Sequence, residues 1–117
     1  MEMLSITADD RRSLAPAAAL FRSLGDPARL AILLALRQKE ARVVDLTVAL
    51  GLSQSTVSTH LDCLRCCGLV ESRAVGRASV FSLAQPDIDV LFSSAESLLE
   101  ATGNAVALCP TYGVGKR

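Results

Sequence analysis

Three cysteines crowd one short stretch, "STHLDCLRCCGLVES" at residues 58–72, and a fourth, Cys109, lies near the C-terminus. Cys63 and Cys67 are four residues apart, so on a helix they share a face, and Cys66 lies beside them three residues after Cys63. Thiolate sulfur is a soft donor that selects Cd(II), Pb(II), Zn(II), Cu(I) or trivalent arsenic over hard cations. A helix cannot aim two adjacent cysteines equally well at one ion. Cys63 and Cys67 are therefore the better-placed pair, with Cys66 as an additional donor. They need a third ligand, and Cys109 can supply it from the same or a second subunit. Two other uses of the thiols stand beside this one. Free cysteine often serves as a small buried hydrophobe. A redox switch is the other, and since a helical i,i+4 pair fits disulfide geometry poorly, it would take the form of a bridge from Cys109.

The same segment begins "SQSTVSTHL". Gln54, Ser55, Ser58, Thr59 and His60 surround the outer face of a helix placed there. They are short donors and acceptors suited to phosphates and to base edges in a major groove. Arg73 and Arg77 follow and can reach backbone phosphates or a minor groove. A solvated polar helix face is the plainer reading, and the surrounding elements decide against it.

Those elements are legible in the hydrophobic spacing. Residues 14–24, "LAPAAALFRSL", have helical periodicity. Gly25 ends that helix, and Asp26 and Pro27 cap and start the next, whose apolar face carries Leu30, Leu33, Leu34 and Leu36 and which ends near Lys39. A short helix spans about 42–50 and closes at Gly51. Ser53 caps the next one, which runs to about Cys67, and Leu52 and Val57 have the spacing of a hydrophobic staple. Val57, Leu61 and Leu64 mark its buried stripe, and Gly68 stops it. The period then changes to alternation around a Gly76-Arg77 turn, which predicts a two-stranded hairpin with Val70, Val80 and Phe81 in its strands. Pro86 opens a last helix, about 87–101, with Ile88, Leu91, Phe92, Ala95, Leu98 and Leu99 on one side. The fold class is mainly α with a β-hairpin wing: a helix-turn-helix followed by a wing. We expect a single domain over residues 1–117, with its core at about 14–101, a loose N-terminus at 1–12 and a flexible tail at 102–117.

The bulk numbers are compatible with that fold. The chain has 117 residues, half of them hydrophobic, with three Phe, one Tyr and no Trp, so Leu, Ala and Val must fill the core. A chain this short buries a limited core, and pairing with a second copy would add to it. Twelve basic and twelve acidic residues cancel. Nucleic-acid binders are often basic, but a local patch can coexist with a neutral total. Residues 68–83 carry Arg73 and Arg77 against Glu71, whereas 86–101 carry Asp87, Asp89, Glu96 and Glu100 and no basic residue. No apolar run reaches the ~18–20 residues of a membrane span, and the N-terminus does not resemble a signal peptide. The expected location is cytoplasmic, where clustered cysteines serve as metal ligands or redox groups more often than as structural disulfides. Nothing points to an enzyme: His60, the sole histidine, has no placed nucleophile, and neither a carboxylate pair nor a glycine-rich phosphate loop is present.

Taken together, "FRSLGDPARLAILLAL", "DLTVALGLSQSTVSTHLDCLRCCGLVESRAVGRASVFSL" and the final amphipathic helix resemble the ArsR/SmtB family of winged helix-turn-helix repressors over about residues 14–101. The resemblance implies a homodimer built through the first and last helices. It also implies binding to double-stranded operator DNA with dyad symmetry, and release by an inducer, a metal ion or arsenite. It places Gln54, Ser55, Ser58, Thr59 and His60 on the recognition helix and Arg77 on the wing turn. In the cadmium- and lead-sensing branch, a mycobacterial member carries "SCLRGCGL" on this helix and one cysteine in its tail. "DCLRCCGL" here is similar, which implies Cys63, Cys67 and Cys109 as ligands and Cd(II) or Pb(II) as inducer. Cys66 stands at the glycine of that pattern and leaves room for a swapped or fourth ligand. An arsenite-responsive repressor of the same fold and a thiol-redox-responsive repressor are the alternatives, and Zn(II) is a further candidate ion. The family's "ELCVCDL" site is absent, since Arg42 and Val44 stand in "EARVVDL" where its cysteines would be. The histidine-rich site of the last helix is absent too, because Asp87 and Asp89 have no histidine beside them.

Overall fold

A computed structural model describes residues 5–103; Cys109 and the expected tail ligand position lie outside the described residues. The elements follow in the order α1 (Ala8–Arg12), α2 (Ala15–Leu24), α3 (Pro27–Gln38), β1 (Ala41–Arg42), α4 (Val43–Leu50), α5 (Gln54–Cys66), β2 (Val70–Val75), β3 (Ala78–Leu83) and α6 (Pro86–Ala101). The helix boundaries read from caps and glycines agree with these to within one or two residues. Asp26 caps α3, its carboxylate accepting the Arg29 backbone N–H at 3.0 Å, with Pro27 in the first turn. Ser53 caps α5 in the same way through the Thr56 N–H at 3.1 Å. Gly51 ends α4 at φ 68°, a left-handed conformation that glycine adopts without a Cβ penalty.

One expectation is corrected and another is extended. Residues 1–12 were expected to be loose, yet Ala8–Arg12 form a helical turn. Thr7 and Asp10 cap each other's backbone N–H groups there, a purely local device, and no residue of the turn is buried. The expected two-stranded hairpin is present, and a further strand that the spacing did not predict joins it to make a three-stranded sheet in the order β1-β3-β2. Ala41 pairs with Phe81 and Arg42 with Val80. A two-residue strand leaves no alternation to read, and its partner lies some forty residues away in sequence. The hairpin itself has the expected register: Val75 faces Ala78 across the Gly76-Arg77 turn, with Gly76 at φ 62°.

The core forms where α3, α4, α5 and the sheet meet. Ile32, Leu33 and Leu36 of α3, Leu46 of α4, and Val57, Leu61 and Leu64 of α5 pack with Val70, Phe81, Ile88 and Phe92. Ile32 is fully buried although the expected face of α3 did not include it, and Leu30 and Leu34 pack only at the core's margin. Arg37 fastens α3 to α6. Its guanidinium donates to Asp89, to Glu96 at 3.2 Å and to Ser93 at 2.9 Å, and lies 5.8 Å from the centre of the Phe92 ring. The Asp89 hydrogen bond, ahead of the Glu96 contacts, raises the Arg37 pKa above its ordinary value. Part of the apolar surface stays uncovered: Phe21 of α2 is 62% exposed and Leu98 of α6 is 66% exposed. Among the described residues no helix is long and apolar enough to cross a membrane.

Leu61 is fully buried at the centre of α5. Leu61→Ala should lower the unfolding free energy by about 2–5 kcal/mol, the usual range for a leucine truncated inside a packed core. A urea titration followed by circular dichroism checks it.

Candidate functional site

The buried stripe Val57, Leu61 and Leu64 sets the rotation of α5, and everything on its other faces follows from that. At about 100° per residue, Ser55, Thr59, Asp62 and Cys66 form the stripe opposite the core, spaced i, i+4, i+7, i+11. Thr56, His60, Cys63 and Cys67 form the neighbouring stripe at the same spacing. Each stripe thus runs from hydroxyls at the N-terminal end to thiols at the C-terminal end.

Of the expected nucleic-acid contacts, Gln54, Ser55 and Thr59 are exposed, and Ser58 and His60 are half-buried. Ser55, Thr56, Thr59 and His60 line one shallow depression. His60 leans inward: its Nε2 stands 3.9 Å from an Asp26 carboxylate oxygen, joining the middle of α5 to the N-cap of α3. The Arg29 backbone N–H, ahead of the Arg29 and His60 charges, holds the Asp26 carboxyl below its ordinary pKa. Nothing in the spacing of the sequence links Asp26 to His60.

The two wing arginines differ. Arg77 sits exposed in the hairpin turn with no hydrogen bond or ion pair among the described residues. Arg73 of β2 is already engaged, its guanidinium fork meeting both Glu40 oxygens at 2.5 and 2.6 Å. Glu40 directly precedes β1, so the third strand is what brings it to the wing. The Arg73 hydrogen bond holds the Glu40 carboxyl below its ordinary pKa. For Arg73 to touch a phosphate, that phosphate must replace Glu40.

Cys63, Cys66 and Cys67 are all exposed and unbridged, which removes the buried-hydrophobe reading for these three within the chain. Helical geometry persists through Cys67, at φ −81° and ψ −3°, and its backbone N–H donates to the Cys63 carbonyl at 3.0 Å. Cys63 and Cys67 are thus a true i,i+4 pair one turn apart. Among the described residues no three Cys, His, Asp or Glu side chains stand close enough to hold one ion. Thiolates are soft donors, and α5 offers two of them one turn apart, at Cys63 and Cys67.

A turn-capped helix pair, a second helix with a solvent-facing polar stripe, and a twisted hairpin behind it make a winged helix-turn-helix. The family described as bacterial regulatory proteins of the arsR type matches residues 26–72, from the cap of α3 into β2. A probable mercury resistance operon repressor of Streptomyces lividans is 37% identical over 91 residues, 78% of this chain and 71% of that one. The chain belongs to the ArsR family. It is a DNA-binding transcriptional regulator, and the family is one of regulators rather than enzymes. The regulator is also 46% identical to the HTH-type transcriptional regulator CmtR of Mycobacterium tuberculosis over 67 residues, 57% of either chain. Among solved structures it is similar to the homodimeric winged helix-turn-helix DNA-binding domain Mb0332 of Mycobacterium bovis. The TM-score there is 0.70 at 28% identity, over 84% of this chain and 91% of that one.

Two measurements of operator affinity against salt separate the wing residues. Arg77→Ala should weaken binding on every sequence and reduce the logarithmic salt slope by about 1, the loss of one phosphate contact. Glu40→Gln removes the charge that holds Arg73 and should strengthen binding with a salt slope about 1 steeper. The pH dependence has a fixed sign. Glu40's folded-state pKa is lowered, so the pair's stabilisation is full above the ordinary glutamate range and is lost as pH falls through the lowered value. Thermal unfolding of wild type and Glu40→Gln should therefore converge at acid pH and separate near neutrality.

Proposed function

We propose that the protein is a homodimeric repressor that holds operator DNA when metal-free and leaves it on binding a soft thiophilic ion, Cd(II) or Pb(II). One observation carries the reading: α5 bears both the solvent-facing polar stripe and the exposed thiols on a single rigid element. Gln54, Ser55, Ser58, Thr59 and His60 read or position DNA at its N-terminal half, assisted by Arg77. Cys63 and Cys67 hold the ion at its C-terminal end, with Cys109 as the third thiolate. From Ser55 to Cys63 the helix rises only about 12 Å, so a tilt imposed at one end is felt at the other. The similarity to a mercury resistance operon repressor supports a thiophilic inducer.

The dimer is assigned to α2 and α6. Phe21 and Leu98 are large apolar side chains left in water by the isolated chain, and covering them adds core to a small domain. The homodimeric state of the Mb0332 domain supports a homodimer. Two copies then present two α5 helices to a dyad-symmetric site, as paired helix-turn-helix units do.

Release is a coupling between sites. Bringing the tail cysteine to α5 would change the tilt of that helix or the spacing between the two copies, and either costs operator contacts. Moving occupancy from nearly complete to nearly absent takes about 5.5 kcal/mol of differential binding.

Cys63→Ser, Cys67→Ser and Cys109→Ser should each leave metal-free operator binding within about twofold and abolish release by Cd(II). Each removes a proposed ligand, and Cys63 and Cys67 lie toward the end of α5 away from Ser55. Operator shifts with and without Cd(II) provide the measurement. Full induction of a Cys63→Ser/Cys67→Ser double variant would defeat the ligand assignment.

A further inference from the structure

We propose that Cys63 and Cys67 by themselves form a complete two-thiolate site for Hg(II), a soft cation satisfied by two collinear sulfur donors. The proposal rests on the soft-ion reading above and deepens it, because the Cd(II) or Pb(II) form of that reading needs a third thiolate and this one does not.

The geometry of α5 supplies the argument. The hydrogen bond from the Cys67 N–H to the Cys63 carbonyl closes a regular turn between the two residues. Side chains so related have Cβ atoms about 5–6 Å apart. A linear sulfur–metal–sulfur unit spans roughly twice a metal–thiolate bond, ~4.6 Å on the ~2.3 Å of a zinc thiolate and somewhat more for a larger ion. The two sulfurs can reach that separation by side-chain rotation alone. Both thiols are exposed and hydrogen-bonded to nothing among the described residues, so no packing has to break.

No three-donor group exists among the described residues, so a cation that needs three or four protein ligands is left incomplete on α5, whereas a two-coordinate one is not. Cys66 is the competing neighbour of Cys63. It lies about 60° round the helix from Cys63 on one side, while Cys67 lies about 40° away on the other. The 63–67 pair shares a stripe with half-buried His60, and the 63–66 pair turns toward the stripe of Ser55 and Thr59 that faces away from the core.

Binding is an exchange of protons for metal. Hg(II) forms two metal–sulfur bonds, two S–H bonds break, and two protons leave to solvent. No atom changes oxidation state.

The test uses the full-length reduced chain carrying Cys66→Ser and Cys109→Ser, which keeps only Cys63 and Cys67, titrated with Hg(II) against a competing monothiol. The readouts are thiolate-to-mercury ultraviolet absorption, protons released and the intact mass of the complex. Circular dichroism checks that the two serine substitutions leave the helices formed. The expected result is one Hg(II) per chain, two protons per ion and no thiol left for alkylation. Binding should be at least ~100-fold tighter than in a chain keeping Cys63 alone, as expected when a second ligand is tethered nearby. Half an ion per chain, affinity no better than the single-thiol chain, or equal affinity in a chain keeping Cys63 and Cys66 would each overturn it. Parallel Cd(II) titrations separate the two readings. If wild type binds no Cd(II) while the two-thiol chain holds Hg(II), the three-thiolate reading fails and this one stands. If Hg(II) binding requires Cys109, this one fails and the other stands.

Discussion

Burial of Val57, Leu61 and Leu64 fixes α5 against α3 and the sheet, and the rest of the molecule's chemistry depends on that one packing contact. With three fully buried side chains at i, i+4 and i+7, the helix has a single rotation that leaves no core atom in water. That rotation turns Ser55 and Thr59 outward and leaves Cys63, Cys66 and Cys67 in solvent. A slip by one residue would bury a threonine or a cysteine and expose a leucine. The polar stripe and the exposed thiols are therefore consequences of the core, held in a fixed relation on one helix.

Among the described residues Arg12, Arg37, Arg42, Arg65 and Arg73 are each held in an ion pair with a carboxylate. Arg37 is shared among Asp89, Glu96 and Ser93, which ties α6 to the C-terminal half of α3. Arg73 is held by Glu40, and Arg42 by Asp45 at 3.2 Å. Part of the basic charge that a count would assign to DNA is therefore already matched by carboxylates within the chain. Arg77 at the wing turn is exposed and takes part in no ion pair among the described residues. The position of Arg37 gives the pairing a second consequence. It holds α6, the helix that carries the exposed Leu98, against α3.

The thiols and the hydroxyls of the polar stripe occupy opposite ends of α5. Asp26 adds a further link, since it caps α3 and stands beside His60 at the middle of α5. The helix α5 is thereby braced at its buried stripe and, through Asp26, on one flank.

Local physics made most of this legible from the sequence. Helix ends follow from Asp26, Ser53, Gly51 and Pro86, because capping and backbone freedom act within four residues. The hairpin follows from alternation about Gly76, and the pairing of Cys63 with Cys67 from helical spacing. What the tertiary structure decided is what joins distant residues. The third strand brings Glu40 to Arg73, the crossing of α3 and α5 brings Asp26 to His60, and the docking of α6 gathers three partners on Arg37. Exposure of all three described thiols belongs to the same class, since the sequence was compatible with burying them. Spacing along a chain fixes the face a side chain takes on its own helix. Only the packing of helices against one another decides whether that face meets water, an opposite charge or the core.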